Sequence, residues 1–220
     1  MAVCILIPAY NAALTIKDVV QESISLGYPV VVVDDGSQDE TVKNIAGQGI
    51  VLLQHTVNRG KGQALRTGFS WALENSFDFI ITIDADGQHD VSSVRKLVAA
   101  AMADSVDIMI ASRFSQFEEM AGPRSFWNRF GVWCVRKRTG FDISDSQSGF
   151  RCYSSRMLRS ISLDCAGYDM EMEILMKAWR NGFTIASLPV AARIADGRST
   201  SHYRPFLDTY NISMTFLRYM

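Results

Sequence analysis

The segment Asp84-Ala85-Asp86-Gly87-Gln88-His89 sets two carboxylates at i and i+2, followed by an amide and an imidazole. Hard oxygen ligands of this kind suit Mg²⁺ or Mn²⁺, which keeps positions open for substrate phosphates instead of sitting in an all-protein cage. Such a cation offsets the charge of a departing diphosphate. The same residues also suit an Asx-type turn with a helix cap, for which Asp and Gly are favoured anyway. An EF-hand is excluded, because the loop lacks the acid at its twelfth position.

Two further clusters carry polar chemistry. Asp34-Asp35-Gly36-Ser37 follows an apolar run, and a carboxylate there can accept from a ribose hydroxyl or a base N–H. One of this pair is expected to form a turn and cap the next helix. Asn58-Arg59-Gly60-Lys61-Gly62 places two cations and two glycines before a helix, whose first N–H groups can take a phosphate. Solvated cations on an ordinary loop fit it equally well. There is no G-x-G-x-x-G and no GxxxxGK[ST], which removes dinucleotide enzymes and P-loop NTPases as readings.

The elements that must position these clusters are legible from apolar periodicity. Val3–Ile7, Pro29–Val33, Gly49–Leu53, Phe79–Ile83 and Ile108–Ala111 read as strands, and between them lie helical patterns over Ala13–Leu26, Asp39–Ala46, Lys61–Asn75 and Val91–Ala103. Strand–helix–strand repetition at this spacing argues for a parallel, doubly wound sheet, whose ligands bind at the carboxyl ends of the strands. The three clusters and Pro8-Ala9-Tyr10-Asn11 all fall there. Past Phe114 the pattern changes. Phe126–Arg138 and Met170–Asn181 read as helices, Phe150–Tyr153, Phe183–Pro189 and Val190–Ile194 as strands, and the tail from Phe206 to Met220 as an apolar, helically spaced segment. No linker or repeat interrupts the chain, so it reads as one domain in two lobes.

Bulk properties narrow the classes. The 220 residues are 48% hydrophobic and 20% charged with net charge −1, so a real core is expected and a whole-chain nucleic-acid footprint is not. Between Arg113 and Arg159, nine basic residues stand against four acids, a local excess that fits either a phosphate-facing surface or a solvated helix face. The four cysteines form no C-x-x-C pair and read as reduced thiols of a cytosolic protein. Val3–Ile7 reads as a first strand, not a leader, and no apolar stretch approaches the roughly 18–20 residues that span a bilayer.

Seven segments in order carry a family resemblance: Ile7–Asn11, Val33–Ser37, Asn58–Gly62, Asp84–His89, Ala111–Phe114, Asp145–Arg151 and Gly197–Ser199. The chain resembles the family 2 inverting glycosyltransferases, in the branch of dolichyl-phosphate mannose synthase and the polyprenyl-phosphate sugar synthases. The resemblance implies an α/β GT-A fold with a mostly parallel sheet flanked by helices. It implies a single domain over 1–220, with a nucleotide-sugar-binding half over 1–114 and an acceptor-side half over 115–220. Pro8, Ala9, Tyr10 and Asp35 would line the nucleoside pocket, with Lys61, Asp84 and Ala85 also on the donor side. Asp84, Asp86 and Gln88 would serve the metal and diphosphate, with Asp86 the direct, catalytic ligand, Asp84 also binding donor or positioning the loop, and His89 structural. Arg113 and Arg198 would meet the diphosphate or the acceptor phosphate, Arg124 the acceptor phosphate, and Ser148 and Gly149 would shape the acceptor side. Ala12 and Ala13 depart from the pattern where an acid is usual.

The implied reaction is in-line transfer from a GDP- or UDP-sugar, with Mg²⁺ or Mn²⁺, to a polyprenyl phosphate or other glycolipid acceptor. A hydroxyl acceptor in cell-envelope polysaccharide or glycolipid synthesis is the alternative and requires a general base. Glu171, eleven residues before Gly182, stands where the family's catalytic acid is usual, although that acid is ordinarily Asp. An acceptor phosphate, already ionised, needs little or no base, and Glu171 would then be structural. The protein is expected in the cytoplasm, with peripheral contact to the membrane's inner face through the apolar tail or a partner. A nucleotidyltransferase fits less well, because the basic Gly-rich N-terminal loop of that class is missing. A non-catalytic sugar-nucleotide binding module would have lost the metal acids.

Overall fold

A computed structural model describes residues 1–112, 123–191 and 204–220, with the side chains of 123–130 and of Pro205 left out. The chain builds β1 (Val3–Ala9), α1 (Ile16–Ser25), β2 (Val30–Asp34), α2 (Thr41–Ile45), β3 (Val51–Gln54), α3 (Lys61–Glu74), β4 (Phe79–Thr82), a 3₁₀ turn over Val91–Ser93, α4 (Val94–Ala103) and β5 (Ile108–Ser112). It continues through α5 (Pro123–Thr139), β6 (Arg151–Ser154), α6 (Ser155–Ser160), α7 (Met170–Arg180), β7 (Ile185–Pro189) and α8 (Pro205–Tyr219).

Among the described residues the strands form one seven-stranded sheet in the order β3-β2-β1-β4-β6-β5-β7. Its inner strands are buried on both faces, whereas the edge strands β3 and β7 are partly exposed, which is why β1 and β2 read as unbroken apolar runs. Side chains alternate between the faces. Ile5, Ile7, Val30 and Val32 pack with Val20 of α1 and Leu97 of α4, whereas Cys4, Leu6, Val31 and Val33 pack with Leu65 and Phe69 of α3 and Leu175 of α7.

One strand departs from the parallel expectation. β6 lies between β4 and β5 and is antiparallel to both, with Thr82 opposite Arg151 and Met109 opposite Cys152. The chain enters β6 from the rim where the parallel strands end, so the 142–150 loop is delivered to that rim. Four buried residues carry no trace of strand direction. The sheet also joins the two expected halves, because β6 completes the bond ladder of β4. The short helix α6 was not expected either. It begins where the Ser154 hydroxyl accepts from Met157 N–H, a Ser cap of the usual kind.

Candidate functional site

The ends of β1, β2 and β4 and the start of α3 meet at one rim, around a cleft of about 380 Å³. Its walls include Pro8, Ala9, Tyr10, Asp35, Gly60, Lys61, Asp84, Ala85 and Asp86. The donor-side residues expected from sequence are therefore brought together, apart from Arg113 and Arg198, which lie outside the described residues. The Arg124 side chain is likewise not described.

The loop after β1 is fastened to the loop after β2. Asn11 adopts a positive φ of 46°. Its N–H donates to Ser37 Oγ at 2.8 Å, and its Oδ1 accepts from Gln38 N–H at 2.8 Å. Ala12 N–H donates to Thr41 Oγ1 and Ala13 N–H to Asp39. The two alanines that depart from the family pattern thus serve through their backbone.

The adjacent acids divide the work expected of them. Asp34 accepts from Ser37 N–H and forms the turn. Asp35 lines the cleft and ties it to the next loop, accepting from Arg59 N–H at 2.9 Å and Gly60 N–H at 2.7 Å. Those two amides therefore hold a carboxylate of the protein and do not face a phosphate. Gly60 is required here on two counts. Its φ is 97°, and a Cβ would stand 2.4 Å from the Ala166 carbonyl oxygen.

Lys61 sits between two acids. Its ammonium lies 2.6 Å from Asp84 Oδ1 and 2.8 Å from Glu171 Oε1, and 5.4 Å from the centre of the Tyr168 ring. Burial pushes its pKa down, but the charges of Asp84 and Glu171 outweigh that and hold it well above the usual lysine value. Burial likewise pushes the Asp84 carboxyl up, and the Lys61 charge with the His89 hydrogen bond brings it far below the usual carboxylate range. His89 is buried, with Nε2 3.4 Å from Asp84 Oδ2 and its ring against Phe150.

Asp86 is held differently. Its Oδ1 accepts from Gln88 N–H at 3.0 Å, closing the turn, and its second oxygen has no partner among the described residues. Burial, then the neighbouring Asp84 charge, raises its pKa. Ala85 is fixed by its carbonyl, which accepts from Thr15 Oγ1 at 2.6 Å. No group of three or more His, Cys, Asp or Glu in metal-binding geometry occurs among the described residues. The acidic rim is thus one lysine-paired carboxylate and one carboxylate open to the cleft.

The acceptor-side residues reach the site through backbone. Ser148 is fully buried, its hydroxyl accepting from Phe150 N–H. Gly149 passes directly over Asp84, and its carbonyl accepts from Thr82 Oγ1. Arg151, also fully buried, donates to the carbonyls of Ser146, Ser148 and Glu171. Four more of the basic residues between Arg113 and Arg159 also have partners within the chain. Arg136 pairs with Asp142, Arg138 with the Met220 carbonyl, Arg156 with Asp107, and Arg159 with the Leu73 carbonyl. Four cleft residues had not been singled out by sequence: Gly167, Tyr168, Arg204 and Asp208. Arg204 and Asp208 bracket the start of α8, with Arg204 N–H donating to Asp208 at 2.6 Å. The one sequence signal was Arg-Pro followed by an acid in a first helical turn, which also marks an ordinary helix start.

An open α/β sheet with a cleft and an acidic, lysine-braced rim at its strand ends has its polar groups where such folds bind ligands. Residues 4–167 match the family model of glycosyl transferase family 2, and the chain belongs to that family. It is 30% identical over 208 residues to undecaprenyl-phosphate mannosyltransferase of Micrococcus luteus, covering 86% of this chain and 83% of that one. It is 29% identical over 209 residues to UDP-N-acetylglucosamine–dolichyl-phosphate N-acetylglucosaminyltransferase of Methanococcus voltae, covering 84% and 83%. Among solved structures, glucosyl-3-phosphoglycerate synthase of Mycobacterium tuberculosis, in complex with Mn²⁺, UDP and phosphoglyceric acid, superposes with a TM-score of 0.78 at 21% identity, covering 99% of this chain and 78% of that one. The fold is thereby the GT-A type. The chain is a glycosyltransferase.

Proposed function

We propose that this glycosyltransferase moves a sugar, with inversion, from a nucleoside diphosphate sugar to a polyprenyl phosphate, using Mg²⁺ or Mn²⁺. The observation that carries the reading is the convergence of Pro8–Tyr10, Asp35, the Lys61–Asp84 pair and Asp86 on one cleft, in a chain whose relatives are named as polyprenyl-phosphate sugar transferases.

In this reading Pro8, Ala9, Tyr10 and Asp35 hold the nucleoside, and Lys61 keeps Asp84 ionised beneath the sugar and diphosphate. The donor set fits a hard divalent cation. Asp86 has an oxygen open to the cleft, and such ions complete their shells with substrate phosphates and water. Asp86, with Gln88 and Asp84 beside it, would hold the ion, which when bound neutralises charge on the departing diphosphate. Arg113 and Arg198 would meet the diphosphate or the acceptor phosphate, Arg124 the acceptor phosphate.

Glu171 bears on the acceptor. Its carboxylate is buried and paired with Lys61, so a free base does not stand there. A phosphate acceptor attacks as an anion and needs none, which favours it over a hydroxyl.

Access to a lipid acceptor would come through α8. No helix among the described residues is long and apolar enough to cross a membrane. One side of α8 packs on α7, and its first turn borders the cleft at Arg204 and Asp208. The opposite side is apolar and open, with Phe206 94%, Tyr210 61% and Leu217 56% exposed. Exposed Arg218 lies beside that stripe, and Arg136, Lys137 and Arg138 lie exposed near its end. An amphipathic helix with an open apolar side, beside exposed cations of α5, suits the surface of an anionic membrane on its cytoplasmic face.

The test is incubation of the purified protein with UDP- and GDP-sugars, undecaprenyl phosphate and Mn²⁺ or Mg²⁺. A glycolipid of inverted anomeric configuration is the expected product, read by mass spectrometry and NMR. Turnover on a hydroxyl acceptor with none on the lipid phosphate would overturn the reading.

A further inference from the structure

His55 stands just past β3, behind the cleft, and holds Asp35, which lines it. Its side chain is 6% exposed and that of Asp35 3%. Nδ1 lies 2.6 Å from Asp35 Oδ1, and Nε2 lies 2.9 Å from Thr67 Oγ1 on α3. A ring nitrogen that faces a carboxylate carries the proton, so Nδ1–H donates to Asp35 and Nε2 accepts from the Thr67 hydroxyl.

This hydrogen bond changes what Asp35 can still accept. A carboxylate offers about four acceptor positions. Oδ1 receives His55 Nδ1–H and Arg59 N–H, and Oδ2 receives Gly60 N–H. Three positions are filled by the fold, and the one that remains is on Oδ2.

We infer that His55 is a positioning residue that sets base specificity: by filling Asp35 Oδ1 it leaves one acceptor position, which selects a donor base with a single imide N–H, uracil or thymine, over guanine. The inference rests on the nucleotide-sugar reading proposed above. Guanine presents two adjacent donors, N1–H and N2–H, which seek both oxygens of one carboxylate. Against Asp35 one of them would be buried without a partner, and a site that leaves a polar group unpaired rejects its ligand strongly. The imide edge of uracil or thymine presents one donor, which matches the one open position.

The experiment is calorimetric titration of the full chain with UDP, dTDP, GDP and CDP in the presence of Mn²⁺. UDP or dTDP is expected to bind at least about tenfold more tightly than GDP, the ratio set by one unpaired polar group. Comparing UDP with dTDP separates the two imide bases. His55→Ala reopens Oδ1, so the preference over GDP should shrink by at least threefold, with UDP losing affinity while GDP gains or holds. A residue with a merely structural role would weaken all four nucleotides alike and leave the ratio unchanged, and that result overturns the inference. Thr67→Val keeps the ring's packing but removes the hydroxyl that fixes it, and should move the ratio the same way by a smaller factor. It decides the matter if His55→Ala does not fold by circular dichroism. Tightest binding of GDP or CDP to the wild type would also overturn the inference, while leaving the glycosyltransferase assignment intact. Failure to bind any nucleotide would defeat the proposed function as well.

Discussion

Gly149 has no side chain because Asp84 occupies the space one would need. A Cβ there would lie 2.4 Å from Asp84 Oδ2 and 2.7 Å from Oδ1, nearer than atoms can approach. Gly149→Ala must therefore displace the carboxylate or the loop that ends at β6. We expect a loss of about 1–3 kcal/mol in unfolding free energy, the usual cost of overpacking. Turnover should fall further than stability alone explains, since the displaced group belongs to the cleft. Thermal unfolding and kcat/KM measured on one preparation check this, and an unperturbed variant would place Asp84 elsewhere.

The Lys61–Asp84–Glu171 ion pairs are buried at Glu171 and half-buried at Asp84, so removing their cation should be costly. Lys61→Met leaves two carboxylates without their lysine, one of them partly solvated, for which about 2–4 kcal/mol is expected in chemical denaturation. The pH limits have opposite signs. Asp84, lowered in the folded state, stabilises above its ordinary value of 3.8, and that contribution is lost as the pH falls below it. Lys61, raised in the folded state, stabilises below its ordinary value of 10.5, and that contribution is lost as the pH rises above it. The alkaline loss should shrink in Lys61→Met to the part owed to Lys177, whose pKa burial lowers but its hydrogen bonds to Asp164 and Glu173 raise, and a pH series of melting temperatures reads the difference.

Glu171→Gln tests whether that carboxylate is a base. Its oxygen is spent on Lys61, so turnover onto undecaprenyl phosphate should fall by less than tenfold. Removal of a working general base costs about 10²–10⁴-fold, and a drop of that size would assign the role to Glu171.

Metal removal should abolish turnover, with Mn²⁺ or Mg²⁺ restoring it. Asp86→Ala is expected to lower kcat by orders of magnitude and to raise the metal concentration needed for half-maximal activity, because Asp86 offers the open oxygen. Full activity in excess EDTA would exclude the metal role.

The apolar side of α8 predicts binding to anionic vesicles. Phe206→Glu with Tyr210→Glu should abolish co-sedimentation with phosphatidylglycerol liposomes, while turnover on a short, water-soluble polyprenyl phosphate stays within about threefold. Equal sedimentation of the variant would remove α8 as the contact.

Much of this was legible in the sequence because its causes are local. Val30–Val33 has to be a doubly buried strand, and Asp84–His89 has to leave the end of another. Long-range consequences were not legible. That Asp35 spends its oxygens on His55, Arg59 and Gly60 depends on where β3 and α3 return, and the Asp-Asp pair carries no sign of it. Arg151 stands in a basic-rich segment that fits either a phosphate-facing surface or a solvated helix face, yet it is buried and bonded to three carbonyls. Arg204 and Asp208 enter the cleft from the last helix, a placement fixed by its packing on α7 and not by any motif.

The reversed strand β6 also governs how this protein can be made. While the first half emerges from the ribosome, β4 presents a bare row of amides and carbonyls, because the strand that covers it has not yet been synthesised. Thr82 must wait for Arg151 before its ladder closes. An exposed edge of that kind is a template for pairing with other chains, and pairing between distant segments is slow. A fragment ending near residue 114 should therefore aggregate where the whole chain folds, and a chaperone that shields β-edges should raise the yield of the intact enzyme.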